Sequence, residues 1–124
     1  MEPANEVTTL EYETRLRALL GRAASGRALP RKQKDRWILL HAIARAFRED
    51  ERLREQEATA RIEDFLLQSG RRLHTDAVTL RRALIDEGFC DRDPSGHDFR
   101  ASRRHEAWVR FEPGCGEPEA ERAS

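Results

Sequence analysis

The segment 75-TDAVTLRRALIDEGFCDRDPSGHDFR-100 places a helical pattern directly before a hairpin pattern. Its apolar residues include Leu80 and Leu84, which are four positions apart and therefore share one helix face. Thr75 can cap the first turn, and Gly88 can end the last one. The segment therefore predicts a helix over 75–87, followed at once by extended chain.

The second half of this segment is typical of a short β-hairpin. Two runs, 89–92 and 97–100, flank the four residues 93-DPSG-96. Aspartate first, proline second and glycine fourth is the composition that favours a type I turn. The sequence therefore predicts two short antiparallel strands joined by a tight turn.

Two more helical patterns lie upstream. Residues 37-WILLHAIARAF-47 are apolar on nearly every side, which is typical of a central, buried helix. The next pattern begins with acidic residues at Glu55 and stops at Gly70, with Ile62 on its apolar stripe. Three helices followed by a hairpin is the order of a winged helix-turn-helix domain. We therefore predict a mainly α fold with a small β-hairpin (α+β), winged helix-turn-helix-like and preceded by an N-terminal helix.

The N-terminal helix is predicted over 8–26. Thr8 and Glu11 have the spacing of a capping box, and Tyr12 begins a run of apolar residues on one face. Such a face needs a partner, either the rest of the domain or a second copy of the chain. Residues 1–7 precede this helix and are predicted to be an acidic, disordered segment.

The winged-helix-like domain is predicted over 27–111. Its last apolar patch, 108–111, is interpreted either as a third strand or as a docking segment. Residues 112–124 are rich in Pro, Gly and Glu and are predicted to be a disordered acidic tail.

Charge is distributed unevenly, although the net charge is zero. Residues 15–110 carry 22 basic and 15 acidic residues, a net charge of +7, whereas both ends are acidic. A basic centre can bind phosphate, and acidic ends can compete with that binding. The same charges can also simply keep a small domain in solution. Charge alone leaves both explanations open.

Three groups of residues are candidates for contact with nucleic acid. The first lies at the start of the second helix, where clustered cations oppose the helix dipole and suggest a bound anion. The second lies on the helix before the hairpin, and the third lies on or just after the hairpin. Arginine can contact guanine, and hydroxyl and guanidinium groups can contact phosphate. In chain order, the predicted nucleic-acid-binding residues are Arg31, Lys32, Lys34, Arg36, Thr75, Thr79, Arg81, Arg82, Arg100, Arg103 and Arg104.

Each group also has an ordinary structural explanation. The cations at the start of the second helix can be the solvated edge of a linker. The arginines on or after the hairpin can be a solvated face. Arg82 can pair with Asp86, four residues along the same helix. Acidic residues on that helix, Asp76 and Glu87 among them, would also repel DNA.

Recognisable catalytic and metal-binding motifs are missing from the sequence. It contains no G-x-S-x-G, P-loop or G-x-G-x-x-G motif, and no C-x-x-C or H-x-x-x-H pair. Cys90 with His97 or His105 is the one candidate dyad, and nothing in the sequence activates that thiol. His41 is interpreted as a core histidine. The sequence therefore predicts no enzymatic activity, no cofactor and no metal.

Several motifs together resemble a known family. Residues 29-LPRKQKDR-36 and 76-DAVTLRRALIDEGF-89, followed by Asp91-Arg92 and Gly96, resemble the bacterial family DUF2087, a domain of unknown function, over 29–101. The resemblance implies a compact bacterial domain, found alone or attached to ArsR-like winged-helix regulators, and it implies no catalytic residue or ligand. The family's motif residues would here be Pro30, Arg31, Lys32, Asp76, Arg81, Arg82 and Gly88.

This chain departs from the family in two ways. His97-Asp98-Phe99 follows the hairpin glycine, where the family often has an aromatic residue. The chain also adds an N-terminal helix and acidic ends, and it lacks an attached regulator. Both departures bear on whether the chain binds DNA without a second domain.

The expected function is that of a nucleic-acid-binding, transcription-regulatory domain, with duplex DNA as its partner. The alternative is a non-catalytic protein–protein interaction module, and the N-terminal helix would then bind a second copy or another protein. Salt-dependent affinity for duplex DNA separates the two. No signal peptide or membrane span is expected, because the acidic N-terminus lacks an apolar run and no segment approaches the ~20 apolar residues that a span needs. The expected location is the cytoplasm.

Overall fold

The computed structural model describes residues 5–21, 29–69, 75–95 and 97–117. It confirms a mainly helical chain with one small antiparallel hairpin. The Gly70 and Gly96 positions, and the predicted helix beyond residue 21, lie outside the described residues. In chain order the elements are β1 (Asn5–Val7), α1 (Thr9–Gly21), α2 (Gln33–Ala44), α3 (Glu55–Gln68), α4 (Ala77–Asp86), β2 (Cys90–Arg92), β3 (Phe99–Ala101), a 3₁₀ turn (Arg104–Ala107) and β4 (Val109–Phe111).

Helix α2 forms the centre of the core, as its sequence predicts. Four consecutive side chains, Trp37 to Leu40, are buried, and Ile43 one turn later is also buried. Four consecutive positions point to all sides of a helix, so α2 needs neighbours around its whole circumference. Helix α1 packs on one side of it and α4 on another.

Helices α3 and α4 pack against each other through small and branched apolar side chains. Ala58 and Ile62 are buried on α3, and Leu80 and Leu84 are buried on α4. Val78 of α4 is 39% exposed, so it lies outside this contact.

The start of α4 corrects one prediction. Asp76, and not Thr75, is the N-cap, because its carboxylate accepts a hydrogen bond of 2.8 Å from the Thr79 amide. Aspartate and threonine are both good N-caps, so the sequence alone could not choose between these adjacent residues.

Gly88 ends α4, as predicted. The Phe89 amide donates to the Leu84 carbonyl at 2.8 Å and the Gly88 amide donates to the Ile85 carbonyl at 3.2 Å, which together form a Schellman motif. The backbone of Gly88 has φ of 81°, a conformation that glycine adopts without steric cost.

The hairpin forms where it was predicted, but its strands are Cys90–Arg92 and Phe99–Ala101 and not 89–92 and 97–100, so His97 and Asp98 lie between the strands. Cys90 faces Ala101 and Arg92 faces Phe99 in the antiparallel register. The Asp93 carboxylate accepts hydrogen bonds from the His97 amide at 2.9 Å and from the Ser95 hydroxyl at 2.7 Å, which fixes the turn.

A third segment joins this sheet from the loop between α2 and α3. Leu53 and Phe99 exchange two backbone hydrogen bonds, of 2.9 and 2.7 Å, in an antiparallel bridge. Leu53 is buried, although the segment 48–54 around it is otherwise polar. The bridge ties the loop before α3 to the strand that follows the hairpin turn.

The chain ends correct a second prediction. Residues 5–7, expected to be disordered, form β1, which pairs in parallel with β4. Strand pairing becomes favourable here because it buries Val7 completely against the core. Residues 112–117, also expected to be disordered, form a turn in which Cys115 is buried and donates to the Val7 carbonyl at 3.7 Å. The patch at 108–111 is a strand, but its partner is β1 and not the hairpin.

The start of α1 depends on the same pairing. The Thr8 hydroxyl accepts a hydrogen bond from the Glu11 amide, as a cap should. The Glu112 carboxylate accepts two more, from the Thr9 amide at 3.0 Å and the Thr9 hydroxyl at 2.9 Å, which lowers the Glu112 pKa. Residues 103 positions apart therefore stabilise the same helix end.

Aromatic rings join α1, α2 and β4. The Tyr12 hydroxyl and His41 Nδ1 are 2.9 Å apart, and the His41 ring stacks on Phe111 with centroids 4.1 Å apart. Phe89 stacks on His105 in the same way, also at 4.1 Å. Burial lowers the pKa of His41 to about 4 and also lowers the pKa of His105, so both rings are neutral at pH 7.

No helix in the described part of the chain is long and apolar enough to cross a bilayer.

Replacing Gly88 with alanine should destabilise the fold by about 1–3 kcal/mol, because a side chain there would hold a strained positive φ. The added Cβ would also lie 2.8 Å from the His105 amide nitrogen, a backbone atom that cannot rotate away. Urea unfolding measures the loss. Gly21→Ala is the matched control, since no atom lies within 4 Å of its added Cβ. Equal stability of the two variants would contradict this account of Gly88.

Stability should fall when the pH falls from 7 to 5. The unfolded chain binds a proton at His41 with a pKa near 6.5, whereas the folded protein does so only near pH 4. The unfolded state therefore binds more protons than the folded state between these pH values. The contribution of neutral His41 to the free energy of unfolding is present above pH 6.5 and is lost as the pH falls toward 4. The loss is up to about 1.4 kcal/mol per pH unit.

Thermal unfolding at several pH values checks this linkage. The His41→Gln variant should show a weaker pH dependence between pH 7 and 5 than the wild type, and His105 should account for part of what remains. His97→Gln is the control, because His97 is exposed at the hairpin turn. An unchanged pH dependence in His41→Gln would show that this ring does not carry the effect.

Candidate functional site

Helix α4 presents one exposed face to solvent. Val78, Arg82 and Asp86 follow one another at four-residue spacing and are all exposed. Arg82 lies in the middle of this face and has no ion pair within the described residues. The pair between Arg82 and Asp86 considered above does not form. The charge of Arg82 acts on Asp76, whose pKa is lowered first by hydrogen bonds from Thr79 and to a smaller extent by this charge.

The two threonines of the predicted site are turned toward the protein. The amide and the side chain of Thr79 both donate hydrogen bonds to the Asp76 carboxylate. The Thr75 hydroxyl is buried and has no hydrogen-bond partner in the described part of the chain. Neither threonine is exposed as a free hydroxyl on the α4 face.

Arg81 joins α3 to α4. Its guanidinium donates to the Thr59 hydroxyl at 2.6 Å and pairs with the Glu55 carboxylate at 3.1 Å, and only 13% of its side chain is exposed. The same carboxylate pairs with Arg92 at 3.1 Å. Glu55, at the start of α3, therefore links α4 to the hairpin, and Arg81 is committed to that structural network.

The basic segment before and within the first turn of α2 divides into two parts. Lys34 pairs with Glu11 of α1 at 2.9 Å. Arg36 donates to the Arg31 carbonyl at 2.9 Å and pairs with Glu87 at 3.6 Å, which ties this segment to the end of α4. Arg31 and Lys32 themselves are exposed and form no ion pair with any residue that the structure describes.

The arginines of the hairpin region also have different surroundings. Arg104 pairs with Asp91 at 2.7 Å and donates to the Ile85 and Cys90 carbonyls, so it fastens the 3₁₀ turn to the end of α4. Arg103 pairs with Glu106. Arg100 is exposed on β3, opposite Asp91 in the register, and forms no described ion pair.

The predicted site therefore contains four exposed cations that structural ion pairs do not use. We call them the open cations. They lie in three places: just before α2, on the exposed face of α4, and on the hairpin strand β3. They are Arg31, Lys32, Arg82 and Arg100.

Sequence reasoning missed a cleft that lies between the end of α2 and the segment after β3. His41 and His105 both line it, and Phe47 and Phe89 form its apolar wall. Its volume is about 470 Å³. A second hollow of about 430 Å³ adjoins the same two histidines on the side of β4. Nothing in the sequence places these histidines together, because they are far apart in the chain and belong to no common motif.

The histidines of this cleft and the nearby Cys90 thiol are neutral, whereas charged side chains also line it: Arg45, Glu49, Arg103 and Glu106. His105 Nδ1 lies 3.1 Å from the Gly88 carbonyl, which can only accept, so this nitrogen carries the proton. The Cys90 thiol is buried, and burial raises its pKa to about 12, so it stays protonated. His97 lies instead beside Ser95 at the hairpin turn. Among the described residues, no three histidine, cysteine or acidic side chains are grouped to hold a metal ion.

No curated protein and no solved structure matches the chain. One family, described as "uncharacterized protein conserved in bacteria (DUF2087)", matches residues 27–101. The match includes α2, α3, α4 and the hairpin, and it leaves α1, β1 and β4 outside. Because it spans more than half of the chain, the protein belongs to this bacterial family.

Proposed function

We propose that this protein is a DNA-binding, transcription-regulatory domain of the winged-helix kind. The observation that supports the proposal is the bridge between Leu53 and Phe99. It completes the order helix, strand, helix, helix, strand, strand, with α4 as the helix directly before the hairpin. In helix-turn-helix proteins the second helix of the motif lies in the major groove, and α4 follows α3 in that position.

The exposed face of α4 would then contact bases. Arg82 is the one open cation at the middle of this face, and arginine binds the O6 and N7 acceptors of guanine with both arms of its guanidinium group. Arg100 on the hairpin and the pair Arg31 and Lys32 before α2 would contact phosphates on either side. The remaining predicted residues with ion pairs would support the interface by holding α3, α4 and the hairpin in place.

Acidic residues on α4 would limit the affinity. Asp76 and Asp86 lie at the two ends of the exposed face, close to where phosphates would approach. With four open cations, the number of phosphate contacts is small, and the binding of a single copy should be weak. We expect micromolar affinity at low salt, within or just below the range of non-specific DNA binding.

A second candidate is a protein–protein interaction module. Leu10 on α1 is 74% exposed and Leu67 near the end of α3 is 66% exposed. A large apolar side chain on a helix surface gains free energy when a partner covers it. Leu10 lies on the N-terminal helix, outside the segment that matches the family, so it is the residue through which a partner of this chain would bind.

Fluorescence anisotropy with a random-sequence duplex at ~50 and ~200 mM salt tests the DNA proposal. The wild type should bind with micromolar affinity that falls steeply with salt. The double change Arg31→Ala and Lys32→Ala should weaken binding and flatten the log–log salt slope by about 2, because each phosphate contact contributes close to one unit. Arg82→Ala should weaken binding further and reduce any preference among duplexes.

Arg17→Ala is the matched control for this experiment. Arg17 is exposed on α1, and its change removes one positive charge outside the proposed interface, as Arg82→Ala removes one inside it. An equal loss of affinity in Arg17→Ala would mean that net charge alone attracts the DNA. No binding at ~50 mM salt would reject the DNA proposal, since electrostatic attraction is strongest there.

The interaction proposal has its own test. If α1 binds a second copy of the chain, the molar mass from light scattering should exceed that of a monomer, and Leu10→Ser should return it to the monomer value. Thr14→Ser is the control, because it changes another exposed position of α1 and keeps the side chain polar. A monomeric wild type would reject self-association through this helix.

A further inference from the structure

Lys34 lies in the first turn of α2, two residues after the open cation Lys32, but its charge is already engaged. Its Nζ pairs with Glu11 Oε2 at 2.9 Å, so a carboxylate from α1 holds it. We propose that Glu11 competes with DNA phosphates for Lys34, and that the N-terminal helix thereby weakens DNA binding by this chain. This inference rests on the proposed function and adds a regulation of the same interface.

The pair between Lys34 and Glu11 is open to solvent. The exposed fractions of the two side chains are 33% and 25%. Ion pairs at such a surface are weak and are screened by salt. A phosphate can therefore approach the ammonium group and displace the carboxylate, which it could not do in a buried pair.

Arg15 completes the charge balance around this pair. Its guanidinium group pairs with Glu11 Oε2 at 3.3 Å and with Asp35 Oδ1 at 2.8 Å. The four linked side chains, Lys34, Glu11, Arg15 and Asp35, carry two positive and two negative charges. Their sum is zero, so Lys34 adds no net charge to the open cations before α2. Loss of the Glu11 charge alone would leave this group with one positive charge.

The position of Lys34 is one where an anion is favoured. The positive end of the α2 dipole attracts negative charge, and a cation in the first turn is unfavourable by itself. Lys32, the N-cap of α2, makes no side-chain hydrogen bond to this turn. A phosphate is a suitable anion at such a helix end. Glu11 therefore supplies a charge that bound DNA would otherwise supply.

The acid and the cation belong to different parts of the chain. Lys34 lies within residues 27–101, which match the family, whereas Glu11 and the rest of α1 precede them. Helix α1 has its own attachment to α2, because Tyr12 is buried and its hydroxyl lies 2.9 Å from His41 Nδ1. The competing carboxylate is therefore a feature of the N-terminal helix, and its placement does not depend on the ion pair itself.

The variant Glu11→Gln tests the competition in the anisotropy experiment, with the full chain and the random-sequence duplex. It keeps the size of the side chain and removes its charge. The variant should bind about three- to tenfold more tightly than the wild type at ~50 mM salt. Its log–log salt slope should steepen by about 1, because Lys34 becomes one more phosphate contact.

The change Lys34→Ala separates the released lysine from a general gain in charge. It should cost more affinity in the Glu11→Gln background than in the wild type, and there it should reduce the salt slope by about 1. Glu6→Gln is the matched control, because Glu6 is exposed on β1 and its change raises the net charge by the same amount. Urea unfolding should show that all variants keep the wild-type fold.

The outcomes separate this inference from the DNA proposal. The inference alone fails if the double change Arg31→Ala and Lys32→Ala weakens binding but Glu11→Gln leaves affinity and salt slope unchanged. It also fails if Glu6→Gln produces an equal gain, or if the gain persists after Lys34→Ala, because net charge then explains the effect. If neither the wild type nor Glu11→Gln binds the duplex at ~50 mM salt, the DNA proposal and this inference are both rejected.

Discussion

Helix α2 has no polar face along Trp37 to Leu40, and the rest of the molecule is arranged to cover it. One side of a typical surface helix needs no partner, but here every side does. The domain formed by α3, α4 and the hairpin covers part of this surface. Helix α1 and the β1–β4 pair cover more of it and bury Tyr12 and Val7 in doing so. The elements outside the family match are therefore part of the same core.

The arginines show how a polar chain with a thin core fixes its geometry. Arg81 joins two helices, Arg36 joins the α2 start to the end of α4, and Arg104 joins the 3₁₀ turn to two backbone carbonyls. Each of these side chains satisfies several partners at once, which is the use that the planar guanidinium serves best. Exposed pairs contribute little free energy, so their main effect is to fix orientation and not to add stability. Within the predicted site, the four open cations are the described Lys and Arg residues left over, and this separates residues that hold the fold from residues available to a ligand.

Local sequence signals predicted most of the fold but not the pairing of strands that lie far apart in the chain. The helices, the Thr8 cap, the Gly88 stop and the hairpin turn depend on residues close together in the chain, so spacing reveals them. Strands of three residues carry too little alternation to be recognised by themselves. The turn residues between β2 and β3 revealed those two strands, whereas β1 finds its partner only at the other end of the chain. For the site, sequence located the basic groups but could not tell Arg81 from Arg82, because one turns toward Glu55 and the other toward solvent. The histidine cleft left no signal, since its walls come from separate segments.

The parallel pairing of β1 with β4 also governs the order in which the chain can fold as it is made. Strand β1 leaves the ribosome first, but its partner follows roughly 100 residues later, a loop closure of high contact order. At about 5–20 residues per second, Val7 and the apolar face of α1 wait for several seconds while α2, α3, α4 and the hairpin are completed. The segment from α2 to the hairpin can therefore assemble first, and β1 pairs with β4 only after β4 has been made.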